Sequence, residues 1–393
     1  MYDNSLAMRL LGKVAVAFML LVALISVFLL WSNEELIDVA TDVPSNDVVE
    51  FLSSKPDASF KSVIRGSPIS LPKDFGAHSN YRQEWWYFTG ILTSKNGRRF
   101  GYQLTFFRFG GQEEANYKDS KWSSSNIWMA HFALSDIQSG KLFAAEDYAR
   151  GAINLAGVNA HPFRVWLNGW SVEEVDIDDS RNKRNWHVQA NSKSVSLDLQ
   201  LIVDGAPVLH GDEGYSEKNW DGDSASYYFS FPHIESRGEL IVDDESFVVT
   251  GSSWMDREWS TSVLNRNQLG WDWMGLRFPD KSSLMVFQVR NRTNAPYRYA
   301  IYIQPDGQVQ KFESDGIILS PKETWSLPNG NSNIPINWEL SIPALDMSLT
   351  VLAAFNNQYL NLDFSYWEGV VDVEGSFAGA SIKGEGYLEM TGY

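Results

Sequence analysis

Apolar and polar positions alternate along the chain from Gln83 onward. In QEWWYFTGIL, residues 83–92, an extended backbone places Glu84, Trp86, Phe88 and Gly90 on one face and Trp85, Tyr87, Thr89 and Ile91 on the other. Similar short runs recur to the C-terminus, separated by turn dipeptides, and no long stretch carries helical periodicity. Asn96-Gly97 predicts a hairpin between Trp85–Thr93 and Phe100–Phe109, and Ser139-Gly140 one between Met129–Asp136 and Leu142–Glu146. Pro279-Asp280 separates Trp271–Phe278 from Leu284–Arg290, while Asp204-Gly205 and Asp306-Gly307 end two further strands. Such regular spacing predicts an all-β fold of closed or nearly closed antiparallel sheets.

The hairpins echo one another. WWYFTGIL followed by GYQLTFFR resembles WDWMGLRF followed by LMVFQVR. Setting Gly90 on Gly275 puts Trp86 over Trp271, Phe88 over Trp273 and Arg108 over Arg290. This predicts two related barrels, residues 73–260 and 261–393, packed together.

The N-terminal region follows another pattern. Arg9 and Lys13 precede the uncharged run VAVAFMLLVALISVFLLW, residues 14–31, and then Glu34, Glu35, Asp38 and Asp42. Residues 1–31 are therefore expected to form a single-pass inner-membrane helix that leaves the protein body on the periplasmic side, a cleaved signal being the rival. Residues 32–72, polar and punctuated by prolines, read as a tether.

Composition narrows the chemistry. The 393 residues include 16 Trp, 16 Tyr and 22 Phe, a ring content suited to β-sheet packing and to apolar ligands. A net charge of −17 without a basic stripe argues against nucleic acid. Absence of cysteine removes disulfides and thiolate chemistry, and the six histidines show no ligand spacing, so neither metal nor cofactor is expected.

Chemistry-bearing candidates sit within the aromatic blocks. Hairpin register around Asn96-Gly97 sets Glu84 opposite Arg108 or Phe109, making Glu84 either a structural ion-pair partner or a desolvated acid. In Trp254-Met255-Asp256-Arg257-Glu258-Trp259, Asp256 and Glu258 share one strand face, and they form either an acid–base pair or a network clamped by Arg257. Asp272, between Trp271 and Trp273, is a third carboxylate for that group. His131 reads as a base or a satisfied core imidazole, and Tyr366-Trp367-Glu368 again joins rings to a carboxylate. Gly222-Asp223-Ser224 and Gly251-Ser252-Ser253 lack the strand–turn–helix setting of a nucleophilic serine.

Seven blocks together resemble a known family: HSNYRQEWWYFTG (78–90), FGYQLTFFR (100–108), WMAHFALSD (128–136), GSSWMDREWS (251–260), GWDWMGLRF (270–278), YWEGVVDVEG (366–375) and GEGYLEMTGY (384–393). They are similar, in order, to the AttH and carotenoid 1,2-hydratase-like proteins, often labelled secreted hydrolases. The resemblance implies two lipocalin-like barrels, export, isoprenoid-like or other apolar ligands, and genes that accompany transporter permeases. In the hydratase branch it implies a histidine after the aspartate of the WMD block, where Arg257 stands here and cannot exchange a proton near neutral pH.

The expected function is binding of an elongated lipid or isoprenoid-like molecule in a barrel cavity, beside an envelope ABC-type transporter. Trp86, Tyr87, Arg108, His131, Trp254, Arg257, Trp259, Trp271, Asp272, Trp273, Tyr366, Trp367 and Glu368 are the expected ligand contacts. The alternative is an isoprenoid or lipid hydratase or hydrolase with Glu84, Asp256 and Glu258 as its acid–base groups.

Overall fold

The computed structural model describes residues 59–111, 124–178, 183–262, 264–265, 267–328, 330 and 332–393. The expected membrane helix and the start of the tether lie outside them. Among the described residues no helix is long and apolar enough to cross a membrane, and short 3-10 turns such as Lys73–Phe75 supply the helical geometry.

Two antiparallel sheets make up the fold. The first runs from Gln83–Ser94 to Glu245–Ser262 in sequence, the second from Gln268–Arg277 to Ala380–Met390. Each curls into a near-barrel whose strand path keeps two edges: Lys141–Arg150 and Ala156–Ala160 in the first, Val309–Glu313 and Ile318–Ser326 in the second. The predicted hairpins form, and Glu84 lies opposite Arg108. Residues 61–71 do not hang free. Lys61 bonds Asn80, the Tyr227 hydroxyl holds the Ile64 backbone from both sides, and Ile69 and Leu71 pack on the first core.

Alternation then determines three apolar layers. Trp86, Phe88, Phe106, Trp186 and Phe231 point into the first near-barrel and fill it, with Trp186 meeting Phe75 edge-on at 5.8 Å. Met274, Leu276, Trp338, Trp367 and Leu388 fill the second. Burying each large side chain removes enough apolar surface for roughly 1.5–3 kcal/mol. The opposite faces of the same strands are apolar too, and they meet: Tyr87, Ile91 and Trp254 of the first sheet pack against Trp273, Phe287, Val370 and Tyr387 of the second. A ligand cavity was expected inside one of the barrels; the interior of the first is occupied by its own rings.

The internal echo needs a shift. Trp86 faces the first interior, whereas Trp271 and Trp273 face the seam between the sheets. Side chains repeat every two residues, so the glycine-on-glycine alignment, an odd offset, exchanges the faces. Trp271 and Trp273 correspond in facing to Trp85 and Tyr87.

Candidate functional site

The cavity that remains lies in the seam. It holds about 120 Å³, roughly ten times the ~10–15 Å³ that one water requires on the same measure. Both sheets supply its walls: Trp85, Tyr87, Phe107 and Met129 from the first, Trp271, Trp273, Phe287 and Tyr366 from the second.

Four carboxylates interrupt this apolar wall: Asp256 and Glu258 from the first sheet, Glu368 and Glu389 from the second, each buried or nearly so. One cation, Lys218, stands among them, with its Nζ 2.9 Å from Glu258 Oε1 and 4.5 Å from the centre of the Phe287 ring. Asp256 accepts hydrogen bonds from Trp254 Nε1 at 2.6 Å, from the Tyr228 hydroxyl at 2.8 Å and from Ser230 Oγ. Burial outweighs those donors and pushes its pKa up to about 7.

Glu368 is less well provided. Tyr87 and Tyr366 lie near enough to favour its ionised form, yet neither hydroxyl completes a hydrogen bond to it and both carboxylate oxygens are unpaired. Burial, and then the negative charge of Glu389 directly opposite on the neighbouring strand, hold its pKa well above the carboxylate range. Glu389 is raised as well, chiefly by burial, although Trp271 Nε1 donates to it at 2.8 Å. Two carboxylates this close do not both ionise, so the pair keeps a proton at neutral pH.

Beside Glu368 a series of polar groups runs outward, joined by a hydrogen bond only in its middle. The Tyr366 hydroxyl is 2.9 Å from His131 Nδ1, and His131 Nε2 is 3.8 Å from Glu146, which reaches the surface. Burial lowers the His131 pKa to about 3, so the ring is neutral and one nitrogen carries its single proton.

The remaining candidates are elsewhere, all but Trp254 on the opposite strand faces. Glu84 is fully buried in the first interior between Arg108 and Arg257, and it also accepts from the His78 backbone at 3.0 Å. Burial raises its proton affinity, but Arg257 and the other partners outweigh that and hold its pKa well below the carboxylate range. Arg257 bonds the Gly76 carbonyl and lies over Trp86 and Trp259, at 4.0 and 5.0 Å from the ring centres. Glu84, Trp86, Arg108, Arg257 and Trp259 thus form one structural cluster outside the cavity. Arg257, at the position where the hydratase branch is expected to carry a histidine, does not line the cavity. Asp272 faces the second interior, held by Gln288 at 2.7 Å, Tyr393 at 2.8 Å and Arg290 at 3.3 Å, and Trp367 packs beside that core. Trp254 stands behind the cavity wall, edge-on to Trp273 at 5.9 Å.

Of the predicted residues, Tyr87, His131, Asp256, Glu258, Trp271, Trp273, Tyr366 and Glu368 come together. Sequence reasoning missed Glu389, Lys218, Tyr228 and the His210–Ser230 pair, whose ring nitrogen and hydroxyl are 2.6 Å apart behind Asp256. In that pair serine stands between histidine and aspartate, whereas a nucleophilic triad needs histidine in the middle. No group of metal-ligating side chains occurs among the described residues.

Comparison with known proteins agrees with this architecture. An AttH candidate from Nitrosomonas europaea is 29% identical, with a TM-score of 0.74 over 85% of this chain and 100% of that one. Kievitone hydratase from Nectria haematococca superposes with a TM-score of 0.63 at 16% identity, covering 86% of this chain and 97% of its own. CghA, solved with Sch210972, gives 0.52 at 12% identity, over 87% and 96%. No curated protein matches the chain significantly. The AttH-like family model matches residues 62–393, and the chain belongs to that family.

Proposed function

We propose that the seam cavity hydrates a carbon–carbon double bond of an apolar, isoprenoid-like substrate, or runs the reverse dehydration, by carboxylic acid–base chemistry. The observation that carries this reading is the set of four carboxylates, with Lys218 as the cation among the described lining residues, in a largely apolar cavity rich in aromatic rings. A passive lipid carrier gains nothing from burying them, since each uncompensated charge or forced proton costs stability. Carriage of a lipid beside a transporter is for that reason the weaker reading.

The residues divide the work as follows. Glu368, protonated at neutral pH, donates its proton to one alkene carbon, and the neighbouring carbon becomes cationic. Ring faces of Trp271, Trp273, Trp85 and Phe107 stabilise that charge while excluding bulk water. Water then adds to the cationic carbon and gives a proton to ionised Asp256, which titrates near neutrality and so suits a base. The product is the tertiary alcohol, and one proton has moved from Glu368 to Asp256. Tyr366, His131 and Glu146 line a route back to solvent that carries a proton to Glu368 once its Glu368–Tyr366 and His131–Glu146 contacts close. A hydratase among the structural neighbours is consistent with this assignment, though at 16% identity that likeness extends only to the fold.

The test is incubation of the full-length chain with a panel of isoprenoid alkenes and the matching tertiary alcohols in H₂¹⁸O, read by mass spectrometry. Gain of one labelled water, lost at least a hundredfold in Glu368→Gln and Asp256→Asn, is the expected result. Tight binding of the panel without turnover, equal in wild type and both variants, overturns it in favour of carriage.

A further inference from the structure

The seam has a second opening. Four residues along the strand from Trp273, about 13 Å at strand rise, Arg277 faces a groove of about 1330 Å³ lined also by Ser252, Phe278, Lys281, Ile303 and Lys383. Packed residues of the seam, Ile91, Val370 and Tyr387 among them, lie between this groove and the cavity.

Arg277 is anomalous there. Its side chain is buried, with 6% relative exposure, and a buried guanidinium is normally matched by a carboxylate. No carboxylate stands within salt-bridge distance of it among the described residues, and its one hydrogen bond is a long one, 3.3 Å to Ser252 Oγ. Glu385, its cross-strand neighbour, is engaged by Arg99 at 3.0 Å. His233 beside it is bound to Ser283 Oγ and kept largely neutral by burial, so it neither competes for an anion nor neutralises the arginine. In the first near-barrel two arginines are matched by Glu84, and in the second Arg290 by Asp272. At Arg277 no described carboxylate closes a salt bridge, and Glu385, which favours its charge from farther off, is shared with Arg99.

From these contacts we infer that the groove is a binding site for an oxyanion, the carboxylate or phosphate of a small molecule with a short apolar body, seated on Arg277. The fork of N–H donors suits either group. Lys281 and Lys383 stand at the groove as the outer cations, and Phe278 and Ile303 offer the apolar contact. Asp204, Glu213, Glu235, Asp306 and Glu385 on the same groove set a limit on ligand charge, since a polyanion would meet them. The inference rests on the orphaned arginine and does not depend on hydration chemistry in the cavity.

Melting of the full-length chain, followed by tryptophan fluorescence, tests the site with acetate, hexanoate, inorganic phosphate and hexanol as probes. Hexanoate or phosphate is expected to raise the melting temperature with increasing concentration, and hexanol to leave it unchanged. Acetate and hexanoate together show whether the apolar body contributes, and phosphate against acetate shows which headgroup is preferred. Arg277→Met is expected to weaken the effective anion at least tenfold and to raise the melting temperature without anion, because an unmatched buried charge has been removed. Lowered stability of Arg277→Met without anion, or an anion response equal to wild type, would overturn the proposal. So would a wild-type chain indifferent to all three anions.

Discussion

Glu84 and Asp256 show how surroundings assign opposite tasks to the same functional group. Glu84 has two guanidinium partners and is ionised, whereas Asp256 has three neutral donors and holds its proton up to about pH 7. Truncating Glu84 leaves Arg108 and Arg257 buried without their shared anion. Glu84→Gln is therefore expected to lose about 3–5 kcal/mol in urea unfolding, while the fraction that remains folded turns over substrate at the wild-type rate. Equal stability of this variant and wild type would remove the structural role. His131 lies between these extremes. As the middle of the route from Glu368 to Glu146, His131→Phe is expected to lower kcat severalfold with KM little changed, and to move the solvent isotope effect upward as proton return becomes limiting. A merely structural role for His131 would leave the isotope effect in place.

At the level of elements, strand parity was legible in the sequence and the identity of the functional face was not. Turn chemistry left Glu84 opposite either Arg108 or Phe109, of which the structure has Arg108, while strand alternation did set Asp256 with Glu258 apart from Arg257. It could not say which face meets a ligand, because both faces are aromatic: Trp86, Phe88 and Phe106 inward, Trp85, Tyr87 and Phe107 outward. An apolar outer face was itself the signal of a second packing partner, since a strand exposed on one side carries polar residues there. Glu389 was hidden for a different reason. The hairpin Tyr366–Phe377 and Ala380–Met390 turns through Ala378 and Gly379 with φ of 48° and 75°, and this primed turn normally advertises itself with Asn or Asp where alanine stands here. That turn fixes Glu368 opposite Glu389, a cross-strand repulsion worth roughly 0.2–1 kcal/mol when both ionise. Glu368→Gln removes the cost of that repulsion and of the proton held to avoid it, so its urea midpoint is expected to exceed that of wild type at pH 8, in the same variant that loses turnover. A lower midpoint at that pH would mean that the glutamate pair stabilises the hairpin.

For the whole molecule, the carboxylates fall into two sets that pull stability in opposite directions with pH. Glu84, Asp74 and Asp136 have lowered pKa values in the folded chain. Their contribution is present above the ordinary carboxylate range and disappears as pH falls through the folded values. Asp256, Glu368 and Glu389 have raised values, with Asp256 moved from 3.8 to about 7. Their contribution is complete below about pH 4 and declines as pH rises through the folded value, because the unfolded chain then releases protons that the folded one retains. For Asp256 alone the displacement of about three units corresponds to on the order of 4 kcal/mol. The first set belongs to the structural clusters and the second to the seam, so the two limbs of the stability curve report on different parts of the molecule. Urea midpoints measured from pH 2 to pH 8 are expected to pass through a maximum near the ordinary carboxylate range, between the two limbs. In Asp256→Asn the alkaline decline should become shallower while the acid limb stays in place, and in Glu84→Gln the acid limb should flatten instead. A wild-type curve that climbs steadily to pH 8, or an Asp256→Asn curve parallel to it, would show that the seam carboxylates ionise freely, and the acid needed for alkene protonation would then be absent at neutral pH.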